Sequence, residues 1–335
     1  MFDNPYHTKD LSNYTFLVTG AAGFIGSNLV QYLLNHKAGK VLALDNLETG
    51  FIKNLESFLK KTSFAFLRAD ITDLDACRKA CKGVDYVFHQ AALGSVPRSI
   101  KDPIATNKAN IDGFLNILVA GKENGVKRLV YAASSSTYGD SKTLPKIEEN
   151  IGKPLSPYAV TKYVNELYAD VFGKTYGFES IGLRYFNVFG PNQSPSGAYA
   201  AVIPKFIDAI LNERSPLIDG DGNQTRDFTF IENVIQANIK AAFTENCLAI
   251  NQVYNIAVGE RCSINTLFDT LLELSGKKIT PVFKEARPGD VKDSLADISK
   301  AQELIGYEPT VRFKEGLKET LLWFKNNFYK TQLES

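Results

Sequence analysis

Short apolar runs alternate with longer amphipathic segments through the first half of the chain. Five of the apolar runs predict β-strands, at residues 16–19, 41–44, 64–67, 86–88 and 128–132. Helical patterns lie between most of them, as at residues 25–35 and 111–124, which predicts parallel strands joined by crossover helices. The strand runs are continuously apolar, which is typical of a sheet that is covered on both faces. The pattern therefore predicts an α/β fold with a doubly wound parallel sheet.

The pattern becomes less regular after Gly190. Residues 180–185 predict a sixth strand before that point, whereas residues 191–197 and 219–223 are rich in turn-forming residues. A strand at residues 253–257 is expected to return to the main sheet. We therefore predict two partly interleaved domains, the first at residues 14–189 with a returning segment near 232–258, and a smaller second one at 190–231 and 259–330.

Composition excludes several classes of protein. Hydrophobic residues make up 44% of the 335 residues and charged residues 22%, which excludes disorder or a fibrous repeat as the main state. The 38 basic and 37 acidic side chains leave a net charge of +1, which favours neither nucleic acid nor an acidic membrane as a partner. No window approaches 18 uninterrupted apolar residues, and residues 1–12 lack the apolar core of a secretory signal. With few cysteines, these features indicate a cytoplasmic protein. Residues 1–13 are either a flexible arm or a packing segment.

The four cysteines are too few for a disulfide framework. Cys77 and Cys81 are four residues apart on one predicted helix, and the chain has only three histidines. We interpret the two thiols as buried side chains and expect no metal site.

A glycine pattern follows the first predicted strand. Gly20, Gly23 and Gly26 form G-x-x-G-x-x-G at the start of a helix. In a dinucleotide-binding turn, Gly20 permits the tight turn, Gly23 the approach of a pyrophosphate, and Gly26 close packing of the helix on the sheet. The amides of Phe24 and Ile25 belong to the helix N-terminus, which attracts phosphate. Taken alone, the pattern also fits an ordinary glycine-rich turn.

Asp45 ends the second predicted strand, 25 residues after Gly20. A carboxylate at this place binds the adenosine ribose and repels a 2′-phosphate, which favours NAD over NADP. The alternative is that Asp45 only caps the following segment. Further cofactor contacts are expected after the second, third and fourth strands, at Asn46, Asp70, Ile71, Gln90, Ala91 and Ala92.

Candidate chemical groups follow the fifth strand. Tyr158 and Lys162 form Y-x-x-x-K on a predicted helix that runs to about residue 172, so both side chains face the same way. A free tyrosine titrates near ~10, and a neighbouring ammonium together with a positive nicotinamide ring lowers that pKa, making Tyr158 a usable base. Ser134, at the carboxyl end of the fifth strand, is expected to face the ligand crevice and to hydrogen-bond a reacting oxygen. Each motif occurs by chance elsewhere, but their order on these elements is specific.

This order resembles the extended short-chain dehydrogenase/reductases. The resemblance runs from about residue 14 to 328 and includes the segment Arg184-Tyr185-Phe186-Asn187-Val188-Phe189-Gly190-Pro191. It implies a Rossmann-type domain that holds NAD. Tyr158, Lys162, Tyr185 and Val188 then join the cofactor contacts.

Within that superfamily the chain is most similar to nucleotide-sugar 4-epimerases, and above all to the branch that acts on N-acetylated UDP-hexosamines. Residues 134–138 lack the Asp-Glu pair of the related 4,6-dehydratases. UDP-galactose epimerases carry a Lys where Gly94 stands and a Tyr or Cys where Ser294 stands. The small residues here leave room for a 2-acetamido group.

The resemblance also implies contacts to the substrate. The arginines Arg226 and Arg287 match diphosphate-binding positions, where a guanidinium pairs with phosphate oxygens. Surface ion pairs with Asp227 and Asp290 are the alternative for these arginines. The full implied set is Gly94, Ser95, Ser134, Ser135, Ser136, Asn187, Gln193 and Ser294 around the sugar, Val202 and Leu217 near the uridine, and Arg226, Arg287 and Asp290 near the diphosphate.

The implied reaction is NAD-dependent C4 epimerisation of UDP-hexoses, here UDP-N-acetylglucosamine to UDP-N-acetylgalactosamine, through a transient 4-keto sugar. NAD is expected to stay tightly bound and to be recycled. The alternatives are a UDP-glucose or UDP-uronate 4-epimerase, a 4,6-dehydratase or decarboxylase of the same fold, and a non-catalytic NAD-binding module. In the family, helices at residues 111–124 and 158–172 pair across a homodimer interface, so a homodimer is expected.

Overall fold

Seven parallel strands form the central sheet of the protein, which a computed structural model describes over residues 2–196, 200–286 and 292–329. The strands of the described residues are β1 (Thr15–Thr19), β2 (Lys40–Asp45), β3 (Phe64–Arg68), β4 (Tyr86–His89), β5 (Arg128–Ser134), β6 (Ser180–Tyr185), β7 (Val188–Phe189), β8 (Leu217–Asp219), β9 (Thr225–Arg226), β10 (Thr229–Phe230), β11 (Gln252–Ile256), β12 (Cys262–Ser263) and β13 (Val282–Lys284). The sheet order is β3-β2-β1-β4-β5-β6-β11. Because all neighbours are parallel, the carboxyl ends share one edge, and the order reverses between β1 and β4, where ligands bind in such sheets.

All six strands predicted before Gly190 are present, and the predicted return strand is β11. It pairs in parallel with β6 from Gln252 opposite Ile181 to Ile256 opposite Tyr185. A segment from late in the chain therefore completes the main sheet.

Helices cover both faces of the sheet, as the continuously apolar strands predicted. The helices are α1 (Phe24–Asn35), α2 (Leu74–Cys81), α3 (Val96–Lys101), α4 (Pro103–Asn107), α5 (Gly113–Glu123), α6 (Pro157–Tyr176), α7 (Val202–Leu211), α8 (Ile231–Phe243), α9 (Ile264–Ser275), α10 (Ser299–Ile305) and α11 (Phe313–Phe324). Short π-helical turns at Lys108–Asp112 and Lys325–Tyr329 adjoin α5 and α11. Helices α1 and α8 pack with one set of strand side chains, such as Phe16 and Val130, and α2, α5 and α6 pack with the opposite set, such as Leu17 and Leu129.

Three two-stranded sheets build the more irregular region that follows Gly190. They pair β7 with β10, β8 with β13, and β9 with β12. The first is an extension of the β6 segment, and the other two bring residues 217–226 next to residues 262–284. Residues of β8, β9 and β13 line the second cleft described below.

The N-terminal residues are a packing segment rather than a flexible arm. Phe2 is buried against Tyr32 of α1, and its carbonyl oxygen is hydrogen-bonded to His36 Nε2 at 2.9 Å. The Tyr6 hydroxyl donates to Glu232 Oε1 of α8 at 2.8 Å. Residues 2–14 thus fasten α1 to α8 on one face of the sheet.

The two cysteines of α2 are buried, and the Cys77 thiol donates to the Ile71 carbonyl at 3.2 Å. Burial raises the pKa of both Cys77 and Cys81 to about 12, which keeps them as thiols. Among the described residues, no group of three or more His, Cys, Asp or Glu is arranged to hold a metal ion. In the same part of the chain, no helix is both long enough and apolar enough to span a membrane.

Candidate active site

The glycine-rich turn between β1 and α1 is too crowded for side chains at two positions. Gly20 has φ +65°, and a Cβ added there would lie 2.7 Å from the Ala91 amide nitrogen at the end of β4. A Cβ on Gly26 would lie 2.1 Å from the Gly20 carbonyl oxygen. The sequence predicted that the lack of a side chain at Gly26 lets the helix pack on the sheet. The atoms that an added Cβ would crowd belong instead to the turn itself. The two glycines together fold the turn so that the backbone of α1 begins directly at the sheet edge.

Asp45 braces this turn from the neighbouring strand. Its Oδ2 accepts a hydrogen bond from the Ala22 amide at 3.0 Å, and its Oδ1 accepts one from the Leu47 amide at 2.7 Å. Burial raises the pKa of Asp45, and the two amide hydrogen bonds oppose that rise. Asp45 therefore does cap the segment that follows it, which was the alternative for this residue. Its carboxylate also lies beside the glycine-rich turn, at the cleft described next.

Most of the predicted cofactor residues line one cleft of about 470 Å³ at the carboxyl ends of β1, β2, β3 and β4. Asn46 donates to Asp70 Oδ2 at 2.9 Å across it. The predicted residues that line the cleft are Gly20, Gly23, Phe24, Ile25, Gly26, Asp45, Asn46, Asp70, Ile71, Gln90, Ala91 and Ala92.

The donor set of this cleft fits a dinucleotide. The turn has no side chains at Gly20, Gly23 and Gly26, so a pyrophosphate can approach the backbone amides at the start of α1. The buried carboxylate of Asp45 can accept a hydrogen bond from a ribose hydroxyl, because each of its oxygens keeps a second lone pair.

Tyr185 and Val188 lie beyond this cleft. The Tyr185 hydroxyl is buried and donates towards Gln90 Oε1 at 3.3 Å, and Asn238 of α8 donates to the same hydroxyl at 2.9 Å. Tyr185 and Asn238 thus fix the position of the Gln90 side chain. Direct contact of Tyr185 and Val188 with a cofactor stays a prediction. Asn238 was missed by sequence reasoning, because a polar residue within a helix gives no signal of its partner.

The Y-x-x-x-K pair lies at the start of α6. The Ser156 hydroxyl accepts a hydrogen bond from the Ala159 amide at 3.2 Å, and Pro157 occupies the first turn, so the helix begins just before Tyr158. Lys162 is buried, its Nζ donates to the Ala132 carbonyl of β5 at 2.8 Å, and it lies 6.0 Å from the Tyr158 ring centroid. The helix therefore presents both side chains to the carboxyl end of β5.

Burial lowers the pKa of Lys162 to about 8, and the negative charge of Glu166 opposes that fall. Burial also raises the pKa of Tyr158, and a hydrogen bond with Ser134 opposes that rise. In the protein groups alone, burial therefore outweighs the effects that lower the pKa of Tyr158. The lower pKa expected from Lys162 together with a positive nicotinamide ring stays a prediction.

Ser134 is the last residue of β5 rather than part of the loop after it. Its hydroxyl lies 2.8 Å from the Ser136 hydroxyl and accepts a hydrogen bond from the Ser136 amide at 3.2 Å. Ser135 and Ser136 form the 3₁₀ turn Ser135–Tyr138 beyond the strand. The hydrogen bond between Ser134 and Tyr158 brings the two side chains together, as their places on β5 and α6 predicted.

A second cleft of about 790 Å³ adjoins the first, and it includes five of the predicted substrate residues. These are Ser95, Asn187, Val202, Leu217 and Arg226. Ser95 has φ +97° and Asn187 has φ +34°, which are strained backbone conformations for residues other than glycine. Gly94 lines the first cleft and Ser95 the second, so the two clefts meet at this dipeptide.

Asp227 is not a surface partner of Arg226. It is fully buried, and its carboxylate accepts hydrogen bonds from the amides of Val258 at 3.0 Å, Gly259 at 3.1 Å and Ala296 at 3.3 Å. Burial raises the pKa of Asp227 to about 6, against the effect of these three amides. The ion-pair alternative for Arg226 with Asp227 is therefore wrong, and Asp227 instead fastens β9 to two loops of the core.

Arg226 and Ser294 are held close together. The Ser294 amide donates to the Thr225 carbonyl at 3.2 Å, and Arg226 Nη1 donates to the same carbonyl at 2.8 Å. Gln193 Nε2 donates to the Val188 carbonyl at 3.2 Å, while its buried Oε1 has no hydrogen-bond partner within the described residues. Arg287 and Asp290 lie outside the described residues.

One buried ion pair beside the site was missed by sequence reasoning. Glu166 of α6 and Arg184 of β6 form two hydrogen bonds, of 2.9 and 2.7 Å. The available signal was the position of Glu166, four residues after Lys162, on the helix face that must be buried.

The sequence and structure match those of known nucleotide-sugar enzymes. A profile of the NAD dependent epimerase/dehydratase family matches residues 16–257. The structure is similar to that of a UDP-N-acetylglucosamine 4-epimerase from Methanobrevibacter ruminantium in complex with UDP-N-acetylmuramic acid, with a TM-score of 0.88 and 41% identity over 93% of this chain and 98% of that chain. It is also similar to a UDP-glucuronic acid 4-epimerase from Bacillus cereus in complex with UDP-glucuronic acid and NAD, with a TM-score of 0.86 and 36% identity over 93% of this chain and 99% of that chain.

A relative from Mycolicibacterium smegmatis, a UDP-glucose 4-epimerase, is 35% identical over 312 residues, covering 92% of this chain and 98% of its own. The two solved structures share the fold over 93% of this chain, and the names of the three relatives give different sugars. With a profile that spans both the glycine turn and the Y-x-x-x-K helix, the chain belongs to the NAD dependent epimerase/dehydratase family.

Proposed function

We propose that this protein is a UDP-sugar 4-epimerase that interconverts UDP-N-acetylglucosamine and UDP-N-acetylgalactosamine. The observation that carries the proposal is the cluster of Ser134, Tyr158 and Lys162 at the carboxyl end of β5, next to a cleft suited to a dinucleotide. Such a cluster can move the proton of a sugar hydroxyl without any further catalytic group.

Bound NAD supplies the reversible oxidation at C4 of the sugar. Tyr158 takes the proton of the C4 hydroxyl as that carbon becomes a ketone, and it returns the proton when the carbonyl is reduced on the other face. Ser134 donates a hydrogen bond to the C4 oxygen while negative charge develops there. Lys162, held by the Ala132 carbonyl, provides the positive charge that makes loss of the Tyr158 proton easier. No atom is lost from the substrate, so the reaction is an isomerisation.

Epimerisation is favoured over dehydration by the residues beside Ser134. A 4,6-dehydratase must also remove the C5 proton and protonate a leaving hydroxyl at C6, which needs a further acid and base. Residues 134–138 contain only hydroxyl side chains, and two of these, on Ser134 and Ser136, hydrogen-bond to each other.

The second cleft suits the nucleotide part of the substrate. Its volume of about 790 Å³ lies within the range of ligand pockets. We propose that Arg226 binds the diphosphate and that Val202 and Leu217 contact the uridine, with Arg287 and Asp290 as further diphosphate-side residues predicted from the sequence. The free Oε1 of Gln193 and the amide of Asn187 are proposed as sugar contacts, together with Ser95, Ser135 and Ser136.

The preference for an N-acetylated sugar rests on two small residues. A Cβ added to Gly94 meets no atom within 4 Å, so the space beside this residue is open. The Ser294 amide donates to the carbonyl of Thr225, the neighbour of Arg226, so we propose that the size of this side chain matters beside the proposed diphosphate residue. The similarity to the UDP-N-acetylglucosamine 4-epimerase of Methanobrevibacter ruminantium supports this choice.

We further propose a homodimer and retain the two-domain division given above. On α6, Val160, Leu167 and Val171 are 46%, 48% and 50% exposed, an apolar stripe on the helix that the family pairs across its dimer interface. Light scattering of the wild type and of Leu167→Glu tests the dimer, with a mass of two chains expected only for the wild type. Location in the cytoplasm stays a prediction.

The substrate proposal is tested by the ratio of kcat/KM values for UDP-N-acetylglucosamine, UDP-glucose and UDP-glucuronate. We expect the N-acetylated sugar to give the highest value. A higher value for UDP-glucose or UDP-glucuronate would overturn the sugar assignment, and loss of water or CO₂ from any of them would overturn the reaction.

A further inference from the structure

Three ionisable residues occupy one face of α6 at intervals of four. Tyr158, Lys162 and Glu166 therefore follow one another along the helix, and the last two are 3% and 8% exposed. The mechanism above uses the first two. A carboxylate buried next to a buried ammonium is unusual enough to require a reason.

Arg184 fixes Glu166 from the sheet. Its Nε donates to Glu166 Oε1 at 2.9 Å and its Nη2 to Oε2 at 2.7 Å, with both side chains almost fully buried. The remaining nitrogen, Nη1, donates to the Glu148 carbonyl at 2.9 Å, and the guanidinium carbon lies 4.9 Å from the centroid of the Tyr138 ring. The Tyr138 hydroxyl in turn donates to Asn255 of β11 at 2.6 Å. Arg184 thus holds the Glu166 carboxylate, and contacts with the Glu148 carbonyl and with Tyr138 hold Arg184 in turn.

The charged and titratable groups that interact with Lys162 or with Glu166 come from four elements. They are His89 on β4, Tyr131 on β5, Arg184 on β6, and Tyr158 and Glu166 on α6. Burial lowers the pKa of His89 to about 3 and raises that of Tyr131, so both are neutral near pH 7. Of this set, Glu166 is the group whose negative charge stabilises the Lys162 ammonium.

We propose that Glu166 is a positioning residue for the reaction, held by Arg184 so that its carboxylate keeps the Lys162 ammonium charged and in place beside Tyr158. This inference rests on the proposed function, because it gives Lys162 its catalytic role. Arg184, which the sequence marked only as part of a family segment, then has a role of its own, because it sets the position of the Glu166 carboxylate.

The test is a titration of Lys162 in Glu166→Gln, which removes the charge and keeps the size of the side chain. The enzyme is labelled with carbon-13 at the lysine ε-carbon, and Lys162→Met identifies the Lys162 signal. We expect the titration midpoint of Lys162 to fall by about one pH unit or more in Glu166→Gln. The alkaline limb of kcat should move to lower pH by a similar amount, and Glu166→Asp should recover part of both shifts.

Glu179→Gln is the matched control. Glu179 pairs with Arg128 at 2.7 Å, at the opposite end of β5 and about 20 Å from Ser134 along the strand. This variant also breaks an arginine–glutamate pair on the sheet, but it should leave the Lys162 midpoint and the alkaline limb unchanged.

The double variant Glu166→Gln/Arg184→Gln covers the case in which an unpaired Arg184 prevents folding, because it buries no lone charge. A Lys162 midpoint in Glu166→Gln equal to that of the wild type would overturn the proposal. So would a midpoint in the double variant equal to that of Arg184→Gln, the comparison in which only the carboxylate differs. Failure of the wild type to epimerise any UDP-sugar would instead overturn the proposed function, and the titration would still decide the role of Glu166.

Discussion

Asp45 and Ala22 are joined by a hydrogen bond in which the Ala22 amide donates to Asp45 Oδ2 at 3.0 Å. The carboxylate that ends β2 therefore also fixes the glycine-rich turn that follows β1. The side chain that fixes this turn is thus the same one that we predict to bind the adenosine ribose.

We predict that Asp45→Asn retains NAD at least about tenfold less tightly than the wild type. An amide has a single acceptor oxygen, so one of the two amides, of Ala22 or Leu47, loses its partner, which also lowers the free energy of unfolding by about 1–3 kcal/mol. Nucleotide released from the denatured protein measures retention. Asp85→Asn is the control, because the Asp85 carboxylate accepts a hydrogen bond from the Thr15 amide at 2.8 Å, at the opposite end of β1 from the cleft. Wild-type retention in Asp45→Asn would contradict the role of Asp45.

Gly20→Ala should destabilise the protein and abolish NAD retention. Gly20 has a left-handed backbone with φ +65°, which disfavours any residue with a Cβ. The added methyl group would also lie 2.7 Å from the Ala91 amide nitrogen. Gly83→Ala is a matched control, because Gly83 has φ +70° but no atom within 4 Å of an added Cβ. We expect a loss of about 1–2 kcal/mol for the control, from backbone conformation alone, and a clearly larger loss for Gly20→Ala in chemical denaturation. Equal losses would mean that crowding at the turn is unimportant.

Tyr158→Phe should lower kcat by at least about a thousandfold and leave NAD bound. The substitution removes the only group proposed to take the C4 proton, and such groups contribute roughly 10²–10⁴ in rate. Tyr163→Phe, on the same helix, is the control and should keep most of the activity. Residual turnover above a tenth of the wild-type rate in Tyr158→Phe would remove Tyr158 from the mechanism.

The double variant Gly94→Lys/Ser294→Tyr should lose kcat/KM for UDP-N-acetylglucosamine by about tenfold or more relative to UDP-glucose, the size of effect that one lost or blocked apolar contact produces. The open space beside Gly94 accepts a side chain without distorting the fold. Kinetics with the two sugars check this prediction. An equal fall for both would show that the two positions do not select the 2-acetamido group.

His89 should make the protein sensitive to acid. Burial, helped by the charge of Lys162, lowers its pKa to about 3, below the ~6.5 of an unfolded histidine. The unfolded chain therefore binds a proton below pH 6.5 that the native protein does not bind, so stability falls as the pH falls. Thr19 Oγ1 lies 2.9 Å from His89 Nδ1, and a glutamine in place of the histidine keeps a polar partner there.

Denaturation followed by the fluorescence of Trp323 measures this effect. From pH 7 to pH 4, the free energy of unfolding of the wild type should fall by about 3 kcal/mol more than that of His89→Gln. The buried Asp227, whose pKa burial raises to about 6, acts in the opposite direction, but it contributes to both proteins and cancels in the difference. A difference that does not change with pH would contradict the account.

The sheet and the dinucleotide cleft were predictable because each of their parts depends on a short, continuous stretch of sequence. Each strand is a single apolar run, and Gly20, Asp45 and Gln90 all follow such runs at the carboxyl edge of the sheet. Placement of Tyr158 and Ser134 together followed from the same rule. The boundaries of the six predicted strands differ from the observed ones by at most two residues.

Contacts between distant residues were not predictable in this way. Asp227 follows Arg226 in the sequence, which favoured an ion pair, yet its carboxylate turns inward to amides that are 31, 32 and 69 residues away. The contact of Lys162 with the Ala132 carbonyl depends on how α6 packs on β5, and so does the burial that raises the pKa of Tyr158. Packing of residues 2–14 on α1 likewise depends on Tyr32 and His36, whose partners no local pattern reveals.

The most direct test of the central claim is a proton NMR time course of the purified protein with UDP-N-acetylglucosamine and no added cofactor. We expect signals of UDP-N-acetylgalactosamine to grow to a constant ratio with the starting sugar, which requires both C4 epimerisation and NAD retained by the protein. No conversion either without or with added NAD, or the appearance of a 4-keto-6-deoxy sugar instead, would contradict it.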